Sequence, residues 1–181
     1  MTLREVELMG KKGAKACLNP GSNLKLASGG VPPVPEMMKS KVGICLGTDG
    51  AASNNSLSMF EAAKYIALLV KNSRWDASII TASEALGFAT QGGYDAFGLD
   101  GGRIAKGALA DLILLDAKAA NLNPATTSTN MHAQIVYAGH AGNVTDSIIG
   151  GKPVMLDGKV LTLDEDKVVE QANKEYEKIL E

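Results

Sequence analysis

The segment formed by residues 42–55 most constrains the fold of this chain. Its first five residues are mostly apolar, and the turn-forming sequence Gly-Thr-Asp-Gly follows them directly. An apolar run that ends in glycines is typical of a buried strand followed by a tight loop. Asp49 would then lie at the carboxyl end of a buried parallel strand, where α/β folds place their chemistry. Asp49 is therefore the first candidate functional residue.

Helices and strands alternate in the first part of the chain. Apolar periodicity and turn signals predict helices over 2–11, 36–39 and 56–71, and strands over 14–18 and 42–46. Strands separated by helices pair in parallel through right-handed crossovers. The pattern therefore predicts an α/β fold.

Two further signals define the helices after residue 55. The long helix has a buried stripe at helical spacing, formed by Met59, Ala63, Ile66 and Val70. Thr81 and Glu84 have the spacing of a capping box, which predicts another helix that ends near Gly92 and Gly93.

The pattern changes near Gly107. Residues 110–117 read as a strand, and short antiparallel strands follow, joined at Gly150-Gly151 and at Asp157-Gly158. Asp-Gly between two apolar runs is a strong hairpin signal. Thr162 and Glu165 predict the cap of a C-terminal helix. We therefore divide the chain into residues 1–106 and residues 107–181.

Charge and hydropathy exclude several classes of partner. The net charge is −2 and the basic residues are scattered, which argues against a nucleic acid or an anionic membrane as partner. No apolar run approaches the length of a membrane span, and the N-terminus does not resemble a signal peptide. We expect a cytoplasmic protein that acts on a small molecule.

The few cysteines and histidines offer no ordinary metal cluster. Cys17 and Cys45 lie in apolar segments and are expected to be buried thiols, and two cysteines cannot build a tetrahedral zinc site. His132 and His140 form no HxH or HExxH pattern, so surface or structural roles are expected for both.

The residues around Asp49 also have simpler interpretations. An Asp in a Thr-Asp-Gly loop is often a turn residue that bonds its own backbone. Ser53, Asn54 and Asn55 could bind a polar ligand or cap the next helix, and their spacing favours the cap.

Four segments in succession resemble one known family. They are NPGSNLKLASGGVPPVPEMM, LGTDGAASNNSLSMFEAAKYIALL, TASEALGFATQGGYDAFGL and KGALADLILLD. Their order is similar to that in the metal-dependent amidohydrolase superfamily, in the branch of methylthioadenosine/S-adenosylhomocysteine deaminases and chlorohydrolases. The resemblance implies the last strands and helices of a (β/α)₈ barrel over 1–106. For 107–181 it implies the C-terminal share of a small β-sandwich with a closing helix.

The same resemblance implies functions for two residues. Asp49 corresponds to the family's aspartate of the last barrel strand, which binds the catalytic zinc or iron and exchanges a proton with the metal-bound water. Ser53 would lie near the substrate. The implied reaction is the hydrolytic deamination of a purine nucleoside.

The sequence also departs from the family. A full barrel takes about 250 residues, whereas this chain has 181. The family's metal-binding histidines, catalytic Glu and proton-shuttling His have no counterpart here, and Leu18 stands where the family often has a His. We therefore expect the chain alone to be inactive and to bind neither zinc nor iron tightly.

Three interpretations stay open. The chain could be the C-terminal portion of a deaminase, or one subunit of a split amidohydrolase that acts on another ring, such as guanine or a chlorotriazine. It could also be a non-catalytic binding or structural module. Because part of a barrel leaves open sheet edges, we expect a homo-oligomer or a partner chain that covers them.

Overall fold

The computed structural model describes residues 1–124 and 128–180, with only the backbone given for 128–130. The chain divides into two compact units. The first comprises Met1–Ala108 and Ala117–Ala141, and the second comprises Leu109–Asp116 and Gly142–Glu181. Residues 117–141 thus group with the first unit, although the sequence-based division placed them in the second part.

The first unit contains two strands and eight α-helices among the described residues. They are α1 (Leu3–Lys11), β1 (Lys15–Leu18), α2 (Pro20–Lys25), α3 (Val34–Lys39), β2 (Gly43–Leu46), α4 (Ala51–Asn54), α5 (Met59–Arg74), α6 (Ala82–Ala89), α7 (Gln91–Phe97) and α8 (Ser128–Tyr137). The strands pair in parallel, with Lys15 opposite Gly43 and Leu18 opposite Leu46. This confirms the predicted α/β character and parallel pairing.

The core of the first unit lies between this sheet and the helices that cover one of its faces. The fully buried larger side chains include Val34, Met37, Ile66, Val70, Ile80 and Val136. The predicted stripe on α5 is confirmed, because Ala63, Ile66 and Val70 are buried and Met59 packs against the cluster. Burying one such aliphatic side chain contributes about 1.5–3 kcal/mol.

The second unit is an antiparallel sheet followed by a helix. Its elements are β3 (Leu112–Leu115), β4 (Val144–Ile149), β5 (Lys152–Leu156), β6 (Lys159–Val160) and α9 (Glu165–Leu180), and the strand order is β3-β4-β5-β6. Both residues of Gly150-Gly151 and of Asp157-Gly158 have positive φ, as two-residue hairpin turns require. The predicted hairpins are confirmed.

The prediction that a helix ends at Gly92 and Gly93 is wrong. α6 ends at Ala89, and both glycines lie within α7. A Cβ atom added to Gly92 would overlap the carbonyl oxygen of Ile44 in β2. Gly92 therefore permits the close approach of α7 to the sheet.

The predicted cap at Thr162 is also wrong. α9 begins at Glu165, and the Asp164 carboxylate accepts a hydrogen bond of 3.2 Å from the backbone N–H of Lys167. A carboxylate directly before the first helical turn is a favoured N-cap and also interacts well with the helix dipole. The Thr81–Glu84 capping box of α6, in contrast, is confirmed.

One cysteine differs from the prediction. Cys45 is buried as expected, whereas Cys17 is exposed. Side chains alternate between the two faces of a strand, and Cys17 lies on the face of β1 opposite that of Ala16 and Leu18, which pack against the core.

Across the described residues, none of the helices combines the length and apolar character needed to cross a membrane.

Candidate active site

Asp49 lies where the two parallel strands of the first unit end. It follows β2, while α2 follows β1 at the same edge of the sheet. Its backbone has a φ of 61°, in the left-handed region that Asp tolerates better than most residues. This conformation turns the chain sharply between β2 and α4.

Hydrogen bonds from α2 and from the next residue in the loop hold the Asp49 carboxylate. The Ser22 hydroxyl of α2 donates to Asp49 Oδ2 at 2.7 Å, and the backbone N–H of Gly50 donates to Oδ1 at 2.7 Å. Ser22 is only 3% exposed, whereas Asp49 is exposed. The buried hydroxyl thus fixes the orientation of a carboxylate that solvent can reach.

These hydrogen bonds lower the pKa of Asp49. The largest cause is the bond from Ser22, followed by that from Gly50, and Ser53 contributes a smaller effect in the same direction. Hydrogen bonds to the charged form of a carboxyl group favour ionisation. Asp49 is therefore ionised at neutral pH and can act as a ligand or as a proton acceptor.

The simpler interpretation of Asp49 accounts for only part of this geometry. The Gly50 bond is a local turn contact, as that interpretation expects. The bond from Ser22 instead spans 27 positions of the sequence and joins α2 to the loop after β2. The metal-binding and catalytic functions of Asp49 stay predictions.

The structure brings Ser53 next to Asp49. Ser53 is half-buried in α4, its backbone N–H donates to the Gly50 carbonyl at 3.0 Å, and its side chain is one of the causes that lower the pKa of Asp49. Its predicted position near a substrate stays a prediction.

The alternative prediction, that residues 53–55 cap the next helix, is wrong. Ser58 caps α5 by accepting a hydrogen bond of 3.3 Å from the Glu61 backbone N–H. Asn55 instead ends α4 in the left-handed conformation.

Three further contacts link α2 to α4 and to Asn55 at its end, and sequence reasoning missed all of them. Lys25 Nζ donates to the Ala52 carbonyl at 3.0 Å and also to the Asn55 side chain. Asn54 packs over Gly21, where a Cβ atom would lie 2.6 Å from its Oδ1 atom. The Asn-Pro pair that begins α2 is a helix-start signal that could have located this element.

The described residues do not form a metal-binding cluster around Asp49. Within the described ranges, no group of three or more His, Cys, Asp and Glu side chains could hold a metal ion. His132 lies in α8 and His140 follows it, so neither belongs to such a group with Asp49. A single carboxylate does not constitute a zinc or iron site.

A separate cavity of about 350 Å³ lies beside α2. Most of its lining is apolar and includes Leu18, Leu24, Val31, Pro32, Ile66 and Leu69. Neither Asp49 nor Ser53 lines it, so it is distinct from the candidate site.

Comparison with known sequences identifies the family. The model of the amidohydrolase family matches residues 1–154. The chain is 40% identical over 177 residues to 5'-deoxyadenosine deaminase of Methanococcus aeolicus. It is 37% identical over 177 residues to 5-methylthioadenosine/S-adenosylhomocysteine deaminase of Haloquadratum walsbyi. The chain belongs to the amidohydrolase family, which confirms the resemblance seen in its motifs.

Solved structures agree with this assignment. An adenosine deaminase from Xanthomonas campestris with bound zinc matches with a TM-score of 0.93 and 35% identity, over 99% of this chain and 40% of that one. An atrazine chlorohydrolase from Arthrobacter aurescens matches with a TM-score of 0.85 over 96% of this chain and 38% of that one. Its identity is 17%, so it shows likeness of fold alone.

The chain corresponds to only part of these proteins. The two sequence alignments cover 98% of this chain, but 40% of the Methanococcus relative and 39% of the Haloquadratum relative. The chain thus spans about two fifths of the length of the curated relatives it matches.

Proposed function

We propose that this chain forms the C-terminal portion of a metal-dependent amidohydrolase that deaminates a purine nucleoside. Residues 1–106 would provide the last strands and helices of its (β/α)₈ barrel. Residues 107–181 would provide a share of its β-sandwich and the closing helix. The observation that carries this proposal is the Asp49 carboxylate, which Ser22 fixes at the end of β2, in a chain 40% identical to a nucleoside deaminase.

The names of the relatives support the substrate class. One deaminates 5'-deoxyadenosine and the other acts on methylthioadenosine or S-adenosylhomocysteine. These compounds share an adenine ring with an exocyclic amino group. In hydrolytic deamination, water adds to the ring carbon that bears this group, and the group leaves as ammonia.

Asp49 suits the function of a proton acceptor in this reaction. Its lowered pKa keeps it ionised, and the bonds from Ser22 and Gly50 fix its direction before substrate binds. A positioned general base contributes about 10²–10⁴ to a rate. The zinc or iron of the complete enzyme would need further ligands from outside the described residues, because the Asp49 site offers one.

The proposal can be tested by combining this chain with the part of an enzyme that it lacks. This chain is coexpressed with the part of the Methanococcus aeolicus relative that it does not match, and ammonia release from 5'-deoxyadenosine is measured on the purified, zinc-loaded complex. We expect deamination in this complex. The variant Asp49→Asn should lose at least about a hundredfold in rate, while Asp95→Asn, at an exposed position in α7, serves as the matched control and should retain it.

Two results would contradict the proposal in different ways. Near-normal turnover in Asp49→Asn would show that Asp49 is a turn residue without a catalytic function. An assembled, zinc-loaded complex that releases no ammonia would contradict the proposed deaminase activity.

The chain alone should neither deaminate the substrate nor retain stoichiometric zinc or iron after dialysis. Elemental analysis that finds one tightly held metal ion per chain, lost in Asp49→Ala, would show that the chain carries a complete metal site.

A further inference from the structure

Two cysteines lie side by side on the sheet of the first unit. Cys17 of β1 is directly opposite Cys45 of β2 in the parallel register. Their neighbours in the strands, Ala16, Leu18, Ile44 and Leu46, belong to the core or pack against it. Because side chains alternate between the faces of a strand, both thiols lie on the same face of the sheet, opposite to that of these four side chains.

The two cysteines are close enough to share a ligand. They face each other across the strand pair, and Cys45 Sγ lies 3.7 Å from the carbonyl oxygen of Ala16, the residue before Cys17. Cys17 also lies close to β2, because a Cβ atom added to Gly47 would be 3.2 Å from its Sγ atom. Cys17 is exposed, whereas Cys45 is 6% exposed. An incoming ion therefore meets Cys17 first and has Cys45 within reach behind it.

We propose that Cys17 and Cys45 form a dithiol site for a soft, two-coordinate metal ion, with monovalent copper as its representative. Thiolate sulfur is a ligand that selects Cu(I), and Cu(I) can be held by two sulfurs. A structural zinc ion would need four ligands. When Cu(I) binds, each thiol releases one proton to solvent, two Cu–S bonds form, and no electron is transferred.

The strand geometry favours a bridging ion over a disulfide. Neighbouring strands are about 4.8 Å apart and their side chains stand roughly perpendicular to the sheet. The Cβ atoms of directly opposed residues thus stay near this separation, whereas a disulfide requires a mean of about 3.8 Å. An ion placed between the sulfurs spans the wider gap without drawing the strands together.

The site is distinct from the candidate active site but adjacent to it. Cys45 precedes Gly47 by two residues and Asp49 by four in the sequence. The copper proposal rests on the sulfur pair alone and does not depend on Asp49 or on deaminase activity.

The experiment titrates the reduced 181-residue chain with Cu(I) under anaerobic conditions, in competition with a chromogenic Cu(I) chelator. We expect one Cu(I) per chain, and X-ray absorption should show two sulfur neighbours. Cys17→Ser and Cys45→Ser should each weaken binding at least tenfold. Circular dichroism checks the fold of both variants. The Cys17→Ser variant is the decisive one, because replacing an exposed side chain disturbs the fold less than replacing a buried one.

Two results would overturn the proposal. Equal Cu(I) affinity in Cys17→Ser would mean that a single thiol accounts for the binding. An X-ray absorption spectrum that shows only one sulfur neighbour on the bound Cu(I) would mean that the two thiols do not share the ion.

Discussion

Ser22 Oγ donates a hydrogen bond of 2.7 Å to Asp49 Oδ2 and so ties the residues after β1 to those after β2. Ser22 is buried, whereas Asp49 is exposed. The anchored hydroxyl restricts the carboxylate more than a solvent-exposed partner would, because Ser22 has little freedom to move. The position of the Asp49 carboxylate, the candidate catalytic group, therefore depends on how β1 and β2 are paired.

Replacing Ser22 by alanine should raise the pKa of Asp49 towards its ordinary value, because the largest cause of its lowering is removed. The pKa can be followed by NMR titration of the carboxyl carbons. The matched control is Ser78→Ala, since the Ser78 hydroxyl donates to Asp76 at 2.7 Å. It should raise the pKa of Asp76 and leave that of Asp49 unchanged.

The same substitution should change how stability depends on pH. A carboxyl group whose folded pKa is lowered stabilises the fold above its unfolded pKa of about 3.9, and this contribution is lost as pH falls through the folded pKa. Urea unfolding should therefore show a larger loss of stability in Ser22→Ala at neutral pH than in acid. An equal loss at both, with the pKa of Asp49 unchanged, would show that Ser22 contributes packing only.

Local signals in the sequence predicted much of the fold. The Thr81–Glu84 capping box, the Asp157-Gly158 hairpin and the stripe on α5 each depend on residues within a few positions of one another. Such patterns can be recognised directly from the order of the amino acids. The alternation of helices and strands then predicted the parallel pairing of β1 and β2.

Contacts between distant residues could not be predicted in this way. Asp49 was found as a strand-end carboxylate, but its partner Ser22 depends on where α2 lies beside β2. The exposure of Cys17 depends on which face of β1 the helices cover, and both of its neighbours are apolar. Gly92 was interpreted as a helix end because the sequence alone does not show that β2 lies next to this glycine.

Gly92 and Gly93 provide a matched pair to test this close packing. Gly92→Ala should destabilise the protein by about 1–3 kcal/mol, because its Cβ atom would overlap the Ile44 carbonyl and force a backbone shift. Apart from the adjoining residues and the backbone of its own helix, no atom lies within 4 Å of a Cβ atom added to Gly93, so Gly93→Ala should be neutral or stabilise α7 by up to about 1 kcal/mol. Urea unfolding measures both. Equal effects would show that α7 does not rest on β2.

The strands of the first unit should make this chain associate with itself. Among the described residues, β1 pairs with β2 and with no other strand, so each has one edge without a neighbouring strand. Unpaired backbone groups at a sheet edge recruit other chains. Sedimentation velocity across a dilution series should show a concentration-dependent oligomer. Adding the part of the Methanococcus aeolicus relative that this chain does not match should convert it into a one-to-one complex, because strands from that part would cover the same edges. A monomer at every concentration, with slow amide exchange throughout residues 15–18 and 43–46, would contradict this prediction by showing that the chain protects these edges itself.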